Sequence, residues 1–302
     1  MEETEVLSGA GVVKEKLARL AVGTYIVWLR DLKNFWRDTM RRIGAIVQPL
    51  IYLFLLGTGL EAAFQVFGGG DTEYVTFMYP GIVAMTVLFT SMFSAISIIW
   101  DREFGFLKEM MVAPMPRSSL ALGKVLGGAT TALLQGIILL VLMPLVGIPY
   151  TLEKIFLMLL VMIVISLGLT SMGVLIASRM RSFEGFPIVM NFILLPMFFL
   201  SGAMFPLQDL PGWMDVLTKV NPMTYGVDAL RGAALKGIEI TSTSALQIPP
   251  DLMAKLTEAG VQMPQTPMLQ NQVYPLWMSL VIVTGFGLLM LFLAVWRFSR
   301  QE

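Results

Sequence analysis

The amino-acid sequence predicts an all-α integral membrane protein with six transmembrane helices. Of its 302 residues, 56% are hydrophobic and 14% are charged, whereas about 25% of the residues in an ordinary soluble domain are charged. So few charged side chains cannot cover the surface of a soluble protein of this size. A helix needs roughly 20 mostly apolar residues to cross a hydrocarbon core of about 30 Å. Six stretches qualify, at residues 43–60, 75–99, 120–146, 155–176, 186–205 and 273–296.

The positions of the basic residues predict how these spans are oriented, because cytoplasmic loops are enriched in Lys and Arg. With the N-terminus inside, 16 of the 21 basic residues fall in cytoplasmic segments. The other five are Lys154, Lys219, Arg231, Lys236 and Lys255. We therefore expect a cytoplasmic N-terminal segment at 1–42, a transmembrane domain at 43–296 and a cytoplasmic tail at 297–302.

The N-terminal segment predicts an amphipathic helix over residues 12–42. Apolar residues recur there at three- and four-residue spacing, namely Tyr25, Trp28, Leu29, Leu32, Phe35 and Trp36. Arg30, Lys33 and Arg37 fall on other faces. Two interpretations remain open. The helix lies in the membrane interface, with Trp28, Leu32, Phe35 and Trp36 towards the lipid, or the apolar stripe packs against another helix of the protein.

The inner loop, residues 100–119, predicts a short helix from Arg102 to Val112. Phe104, Leu107 and Met111 share one face of this helix, and Glu103, Lys108 and Glu109 occupy the others. Pro114 and Pro116 then end it. Exposed apolar side chains with charged flanks are typical of a helix that docks into a groove of a partner protein. An ordinary solvated loop is the alternative.

The outer segment, residues 205–236, predicts two short helices that are broken at Asn221-Pro222 and are too short and too charged to cross the membrane. Non-spanning backbone near membrane depth must be satisfied by protein or water. We therefore expect these helices to cap the outer mouth of a pathway or to lie flat on the headgroups. The candidate residues are Pro211, Trp213, Asn221, Pro222, Tyr225, Asp228 and Arg231. The polar insert that follows, residues 237–272, predicts an external cap or a loop.

The composition excludes several classes of chemistry. The chain contains no Cys and no His, so disulfides, thiolate nucleophiles, Cys/His zinc sites and imidazole bases are impossible. The phosphate-binding motif G-x-x-x-x-G-K-[ST] is absent, since Gly123-Lys124 is followed by Val125. Basic and acidic residues number 21 each, which leaves no overall basic field to attract nucleic acid. We therefore expect a non-catalytic chain without a metal or cofactor of its own.

Few polar residues occur in the predicted spans, and almost none of them is charged. An ion-coupled carrier normally needs an ionisable or unwound polar site at membrane depth. The energy for any transport is therefore expected from a partner. Gln135 and Asn191 are candidates for a substrate path, and hydrogen bonding between helices is the alternative role. A membrane scaffold without transport and an ion-coupled carrier remain the competing functional hypotheses.

Three groups of residues together resemble the membrane subunits of ABC-2 type transporters. The first is Tyr79-Pro80-Gly81-Ile82 at the start of the second span. The second is the stretch 102–109 with Ala113-Pro114 and Leu122-Gly123-Lys124. The third is the outer series Pro206, Leu210-Pro211, Asn221-Pro222-Met223-Thr224-Tyr225, Asp228 and Leu230-Arg231. Their order along nearly the whole chain is similar to that of the daunorubicin-resistance-type export permeases.

The resemblance implies a permease that forms a homodimer or a heterodimer with a second permease and binds two copies of a separate ATP-binding-cassette ATPase. It implies export of a drug, lipid or glycoconjugate across a prokaryotic cell membrane, with ATP and magnesium on the ATPase. The segment from Arg102 to Val112 resembles the family's coupling helix. The N-terminal helix resembles its lipid-contacting interface helix, and residues 209–235 resemble its re-entrant outer helices. The insert at 237–272 is longer than the family pattern.

Overall fold

A computed structural model describes residues 9–57, 59, 74–106, 112, 115–180, 182–205, 207, 210–237 and 273–300. Within these ranges the protein is all-helical, as predicted, and contains no strand. The helices are α1 (Gly9–Arg37), α2 (Thr39–Ile51), α3 (Tyr74–Ser94), α4 (Ile96–Glu103), α5 (Arg117–Val141), α6 (Leu152–Ala177), α7 (Gly185–Phe199), α8 (Gly212–Val220), α9 (Pro222–Ala234) and α10 (Leu276–Ser299). A π-helical turn, Tyr52–Leu56, continues α2, and a 3-10 turn, Met143–Val146, follows α5. Of the predicted insert at 237–272, only Gly237 lies within the described residues.

Four helical stretches in the described chain are long and apolar enough to cross a membrane. They are Val75–Glu103, Arg117–Val141, Leu152–Ala177 and Leu276–Ser299. The other two predicted spans correspond to shorter apolar helices, Arg42–Leu55 and Gly185–Phe199. The second of these, α7, has 15 residues and is about 22 Å long at 1.5 Å per residue. It stops before the predicted end at residue 205 because turns follow, with Gly202 at a φ of +74°.

The bundle is organised around α5, which packs against α1, α3 and α6, while α10 packs against α6 and α9. Two side chains of α3 fasten its start to the end of α5. Thr76 Oγ1 donates a hydrogen bond to the carbonyl oxygen of Val146 at 2.7 Å. Tyr79 Oη donates to the carbonyl oxygen of Leu139 at 2.8 Å. Val146 ends the 3-10 turn, where a helical carbonyl lacks an intrahelical donor. The carbonyl of Leu139 accepts from Tyr79 in addition to the backbone N–H of Leu142, at 2.8 Å.

Helix α1 lies lengthwise against the first turns of α5. The facing pairs are Gly23 with Ser119, Val27 with Gly123, and Asp31 with Gly127. Both helices advance by four residues from one pair to the next, so they run parallel. A Cβ atom at Gly123 would lie 2.5 Å from the Cβ of Val27, and glycine is therefore required for this approach. The α1 residues of these pairs, Gly23, Val27 and Asp31, are not members of the predicted apolar stripe, so these contacts do not test whether the stripe packs against protein. A location in the membrane interface stays a prediction.

The inner loop begins differently from the prediction, which started a helix at Arg102. Arg102 and Glu103 are instead the last residues of α4, and Gly105 follows with a φ of +81°. A left-handed residue just after the last turn ends a helix, and glycine adopts that conformation without a side-chain clash. Phe106 and Val112 are helical after this turn, within the predicted range, while residues 107–111 and 113–114 lie outside the described residues.

The two short helices predicted in the outer segment are present as α8 and α9. Pro222 occupies the first turn of α9, where the missing N–H of proline costs nothing. The side chain of Asn221 caps the same helix, because its Oδ1 accepts a hydrogen bond from the backbone N–H of Met223 at 3.1 Å. Helix α9 is buried along most of its length against α3, α6 and α10. That burial agrees with a cap on the bundle rather than a helix lying flat on headgroups.

Candidate functional site

Four charged side chains form a cluster where α1, α4 and α5 meet. Lys124 places its Nζ 2.6 Å from Oδ2 of Asp101 and 3.1 Å from Oδ1 of Asp31. Arg30 contacts the same two carboxylates at 2.6 Å and 3.4 Å. Lys124 also donates a hydrogen bond to Oγ of Ser97 at 3.0 Å. We call this group of Arg30, Asp31, Asp101 and Lys124 the charged cluster.

The charged cluster connects the N-terminal helix to the start of the inner loop. Lys124 is only 4% exposed, and a buried ammonium group is stable only when carboxylates and hydroxyls replace its water. Asp101 directly precedes Arg102, the first of the predicted docking residues. A displacement of the inner loop would therefore strain ion pairs with both α1 and α5.

Three of the predicted docking residues lie within the described chain. Arg102 donates hydrogen bonds to the carbonyl oxygens of Met180 and Ser178, at 2.6 Å and 3.1 Å. These carbonyls lie at and just beyond the end of α6, where a cation is favourable, so Arg102 fastens the inner loop to that helix. Glu103 is exposed and Phe104 is 71% exposed, which leaves both accessible to a partner. Leu107, Lys108, Glu109 and Met111 lie outside the described residues.

The predicted interface residues of α1 divide between two environments. Phe35 is buried, and Trp28 and Leu32 are half-buried. Trp28 Nε1 donates a hydrogen bond to Oγ1 of Thr130 at 3.0 Å, across to α5. Trp36, in contrast, is 55% exposed. The apolar face of α1 therefore packs against protein around Trp28 and Phe35, and it reaches the outer surface of the bundle at Trp36.

A cavity of about 430 Å³ lies between α2, α3, α5 and α7. It is lined by both residues predicted for a substrate path, Gln135 of α5 and Asn191 of α7. Gln48, Thr86 and Thr90 add further uncharged polar groups. The rest of the lining is Gly44, Pro49, Tyr52, Met85, Phe89 and Phe93. We call this space the central cavity.

One wall of the central cavity is polar and another is aromatic. Thr90 donates a hydrogen bond to the side-chain carbonyl of Gln135, which fixes the glutamine between α3 and α5. Gln135 thus both links two helices and lines the cavity. The rings of Phe89 and Phe93 stack with centroids 6.4 Å apart. Phe93 also meets Phe186 of α7 edge to face at 6.2 Å, so the aromatic wall joins α3 to α7.

Helix α9 supplies hydrogen-bond donors to the end of α7. The last four carbonyls of an α-helix have no partner within the helix, and water cannot satisfy them in a hydrocarbon core. Asn221 Nδ2 donates to the carbonyl oxygen of Met197 at 2.8 Å. Thr224 Oγ1 donates to that of Leu200 at 3.1 Å. Helix α9 thus pairs two carbonyls that the early end of α7 leaves without an intrahelical donor.

Arg231 continues this capping about two turns further along α9 than Thr224. Its Nη2 donates to the carbonyl oxygen of Gly202 at 2.7 Å, and its guanidinium lies 4.1 Å from the ring centroid of Phe77. The turn that contains Gly202 and Ala203 packs against α3 at Gly81. A Cβ atom at Gly81 would collide with the carbonyl oxygen of Ala203. The Tyr79-Pro80-Gly81 and outer-segment motifs therefore meet in space.

Asp228, three residues before Arg231 on α9, holds the start of α10. Its carboxylate accepts hydrogen bonds from the backbone N–H groups of Val273 and Tyr274, at 2.7 Å and 3.1 Å, and from the hydroxyl of Ser279 at 3.2 Å. Burial raises the pKa of Asp228 above its ordinary value, and the two amides act against that rise. Negative charge at a helix N-terminus is favourable. Helix α9 thus attaches to α7 and to α10 through different residues.

The remaining predicted outer residues lie at the start of α8 and in α9. Pro211 precedes its first turn, and Trp213 is exposed. Tyr225 is buried, and its Oη donates to the carbonyl oxygen of Lys219 at 2.9 Å. The ring of Tyr225 lies 5.1 Å from that of Tyr274. Tyr225 therefore joins the end of α8 to α9 and to the residues that precede α10.

The charged cluster is absent from the sequence predictions. Lys124 falls inside the predicted span 120–146, which was expected to carry almost no charge, and Asp101 was expected to be a loop residue. Two signals in the sequence point towards it. A lysine beyond the first turn of an apolar helix needs a buried counter-charge. The glycines at 123 and 127 have the four-residue spacing of close helix contacts, which identifies the face that α1 covers.

The amino-acid sequence of this chain is similar to one protein family and to several individual proteins. The family model for ABC-2 type transporters matches residues 23–235. The transport permease ycf38 of Cyanophora paradoxa is 28% identical over 199 residues, 65% of this chain and 68% of the relative. Nodulation protein J of Rhizobium leguminosarum bv. trifolii is 28% identical over 208 residues, 68% of this chain and 78% of the relative. The inner membrane transport permease YadH of Escherichia coli strain K12 is 23% identical over 209 residues, 68% and 80% of the two chains.

Proposed function

The chain belongs to the ABC-2 type transporter family, and from that membership we propose that it is the transmembrane subunit of an ATP-driven exporter. The observation that carries the proposal is the central cavity, with a polar wall around Gln135 and an aromatic wall around Phe89 and Phe93. Such a lining suits a hydrophobic or amphipathic substrate, as a drug, lipid or glycoconjugate would be. ATP and magnesium are assigned to the partner ATPase, since this sequence lacks the phosphate-binding motif.

The test is reconstitution of this chain with the ATPase encoded beside its gene. We expect the two proteins to copurify and to move an amphipathic substrate in the presence of ATP. A matched control uses an ATPase that binds ATP without hydrolysing it, and transport should then stop. Uptake that is driven by an ion gradient without ATP would identify a secondary carrier instead. A stable complex that moves no amphiphile would favour the scaffold hypothesis.

We also propose six spans with both termini in the cytoplasm of a prokaryotic cell, α2 with its π-helical turn and α7 being the first and fifth. The two shorter helices are apolar, and the capping of α7 by α9 supports its ending at membrane depth. The chain has no cysteine, so single introduced cysteines report sidedness cleanly. Lys219→Cys should react with an impermeant maleimide on intact cells. Glu184→Cys and Arg300→Cys should react only after permeabilisation.

The inner loop is proposed to couple the permease to the ATPase. Its docking residues are Arg102, Glu103, Phe104, Leu107, Lys108, Glu109 and Met111, and the exposure of Glu103 and Phe104 supports this assignment. A dimeric permease, with itself or with a second permease, would bind one ATPase on each inner loop, two in all. Glu103→Arg should reduce substrate-stimulated ATP hydrolysis. Glu184→Arg is the matched control, because it reverses an exposed charge in another predicted inner loop. Equal effects of the two changes would contradict the assignment.

A further inference from the structure

We infer that the central cavity selects substrates whose polar part carries no charge. This inference rests on the proposed export function and adds the chemical class of the molecule that occupies the site. The selectivity is assigned to the amide side chains of Gln48, Gln135 and Asn191, together with the hydroxyls of Thr86 and Thr90. These five groups reach the cavity from α2, α3, α5 and α7, so a polar headgroup between the helices meets neutral partners from every helix that forms the walls.

The lining contains hydrogen-bonding capacity without charge. Among the described residues that line the cavity there is no Asp, Glu, Lys or Arg. Each amide side chain offers both donors and an acceptor. The carbonyl of Gln135 already accepts from Thr90, and its amide N–H groups are therefore what Gln135 can offer to a bound molecule. Hydroxyl and amide headgroups match this inventory.

The lysine within α5 is paired with carboxylates outside the cavity. Lys124 lies on α5 as Gln135 does, but its Nζ is bound by Asp31 and Asp101. None of these three residues lines the central cavity. Moving a charge out of water into an uncharged site at membrane depth is costly unless a counter-charge or metal compensates it. A charged headgroup would therefore lose its hydration without gaining an ionic partner from the described lining.

The aromatic wall suits the other part of the substrate. Phe89 and Phe93 belong to the central cavity, and both continue into α7 through edge contacts with Phe198 and Phe186. Rings of this kind bury a large apolar area and tolerate varied shapes. The cavity thus offers apolar surface beside neutral hydrogen-bonding groups. This combination corresponds to an uncharged amphiphile, such as a molecule with a glycosyl or polyol headgroup.

The experiment compares three photoreactive amphiphiles that share one acyl chain and one diazirine. Their headgroups are glucosyl, sulfate and trimethylammonium. Labelling of the purified permease, mapped by mass spectrometry, reports occupancy of the cavity. We expect the glucosyl probe to label peptides containing Tyr52, Phe89 or Phe93 at least about tenfold more than either charged probe, a factor that corresponds to about 1.4 kcal/mol. Equal labelling by the three probes, or none at the cavity, would overturn the inference.

Variants that add one charge sharpen the test. Gln135→Glu should raise labelling by the trimethylammonium probe and leave labelling by the sulfate probe low. Asn191→Asp provides the same change on another wall of the cavity, in α7. Val141→Glu is the control, because it adds a carboxylate on α5 at an exposed residue outside the cavity. A trimethylammonium gain in the control of the same size as in the cavity variants would contradict the assignment.

ATP-dependent movement of the same probes separates this inference from the proposed function. Selective labelling by the glucosyl probe without ATP-driven transport would support the selectivity and contradict the export function. Transport of all three headgroups at similar rates would support export and contradict the selectivity.

Discussion

Lys124 of α5 and Asp101 of α4 form an ion pair of 2.6 Å in which the lysine is 4% exposed. The pair joins two helices that the sequence separates by the whole inner loop. On α1, Asp31 forms a second ion pair with Lys124, and Arg30 forms one with Asp101. The start of the predicted coupling segment is therefore held by two other helices through charge rather than through apolar contact alone.

Replacement of the lysine should destabilise the bundle strongly. Lys124→Met leaves the partly buried carboxylates of Asp31 and Asp101 with only Arg30 nearby, and breaking a buried ion pair typically costs about 3–5 kcal/mol. Thermal unfolding of the purified permease measures the loss. The control Lys219→Met removes an exposed lysine from a pair with Asp215, and its effect should be small.

A double variant distinguishes lost pairing from lost packing. Asp101→Asn combined with Lys124→Met removes one charge of each sign, and the neutralised cluster should unfold at a higher temperature than the Lys124→Met protein. If the double variant were as unstable as the sum of the single changes, pairing would not be the source of the effect.

The close contact of α1 with α5 predicts an asymmetry between two glycines. Gly123→Ala places a Cβ 2.5 Å from that of Val27 and 2.9 Å from the carbonyl oxygen of Thr24, so α1 must shift. Overpacking of this kind costs about 1–3 kcal/mol. Gly285→Ala in α10 meets no atom within 4 Å and should be neutral or slightly stabilising. Similar unfolding temperatures for the two variants would contradict the packing described for α1.

The attachment of α10 to α9 predicts a local effect of Asp228→Asn. Asparagine has one carbonyl oxygen in place of two carboxylate oxygens, so Val273 or Tyr274 loses its acceptor. The cost of an unsatisfied buried group is about 1–3 kcal/mol. Hydrogen exchange should accelerate at the amides of residues 273–279 and stay unchanged in α7. Asp215→Asn, an exposed carboxylate of the outer segment, is the control, and equal exchange in both proteins would contradict the attachment.

The hydrogen bond between Trp28 and Thr130 predicts energetic coupling across α1 and α5. Trp28→Phe and Thr130→Val each remove one partner, and the pair is expected to show a coupling energy of about 0.5–1.5 kcal/mol in a double-mutant cycle. Unfolding free energies of the four proteins provide the measurement. Trp36→Phe with Thr130→Val is the matched cycle and should be additive, since Trp36 is exposed and lies about two turns further along α1 than Trp28.

The predictions that succeeded concern local patterns. Hydrophobic composition identified a membrane protein, and the Asn221-Pro222 break separated two short helices where the structure has α8 and α9. The fifth span is shorter than predicted because composition does not reveal where a helix stops. Gly202 and Gly105 follow the ends of helical segments and have positive φ angles. The apolar stretch of the sequence nevertheless continues past Gly202.

The sequence by itself determined the class of protein, the approximate helices and the chemistry that the chain cannot perform, because those depend on composition and short-range periodicity. Only the tertiary structure decided which residues meet. Lys124 pairs with Asp31, 93 positions away, and Arg30 pairs with Asp101, 71 positions away. Gln135 and Asn191 share one cavity for the same reason. The helical period orders side chains along one helix, but packing between helices decides which faces come together, and there the cost of burying charge selects the pairs.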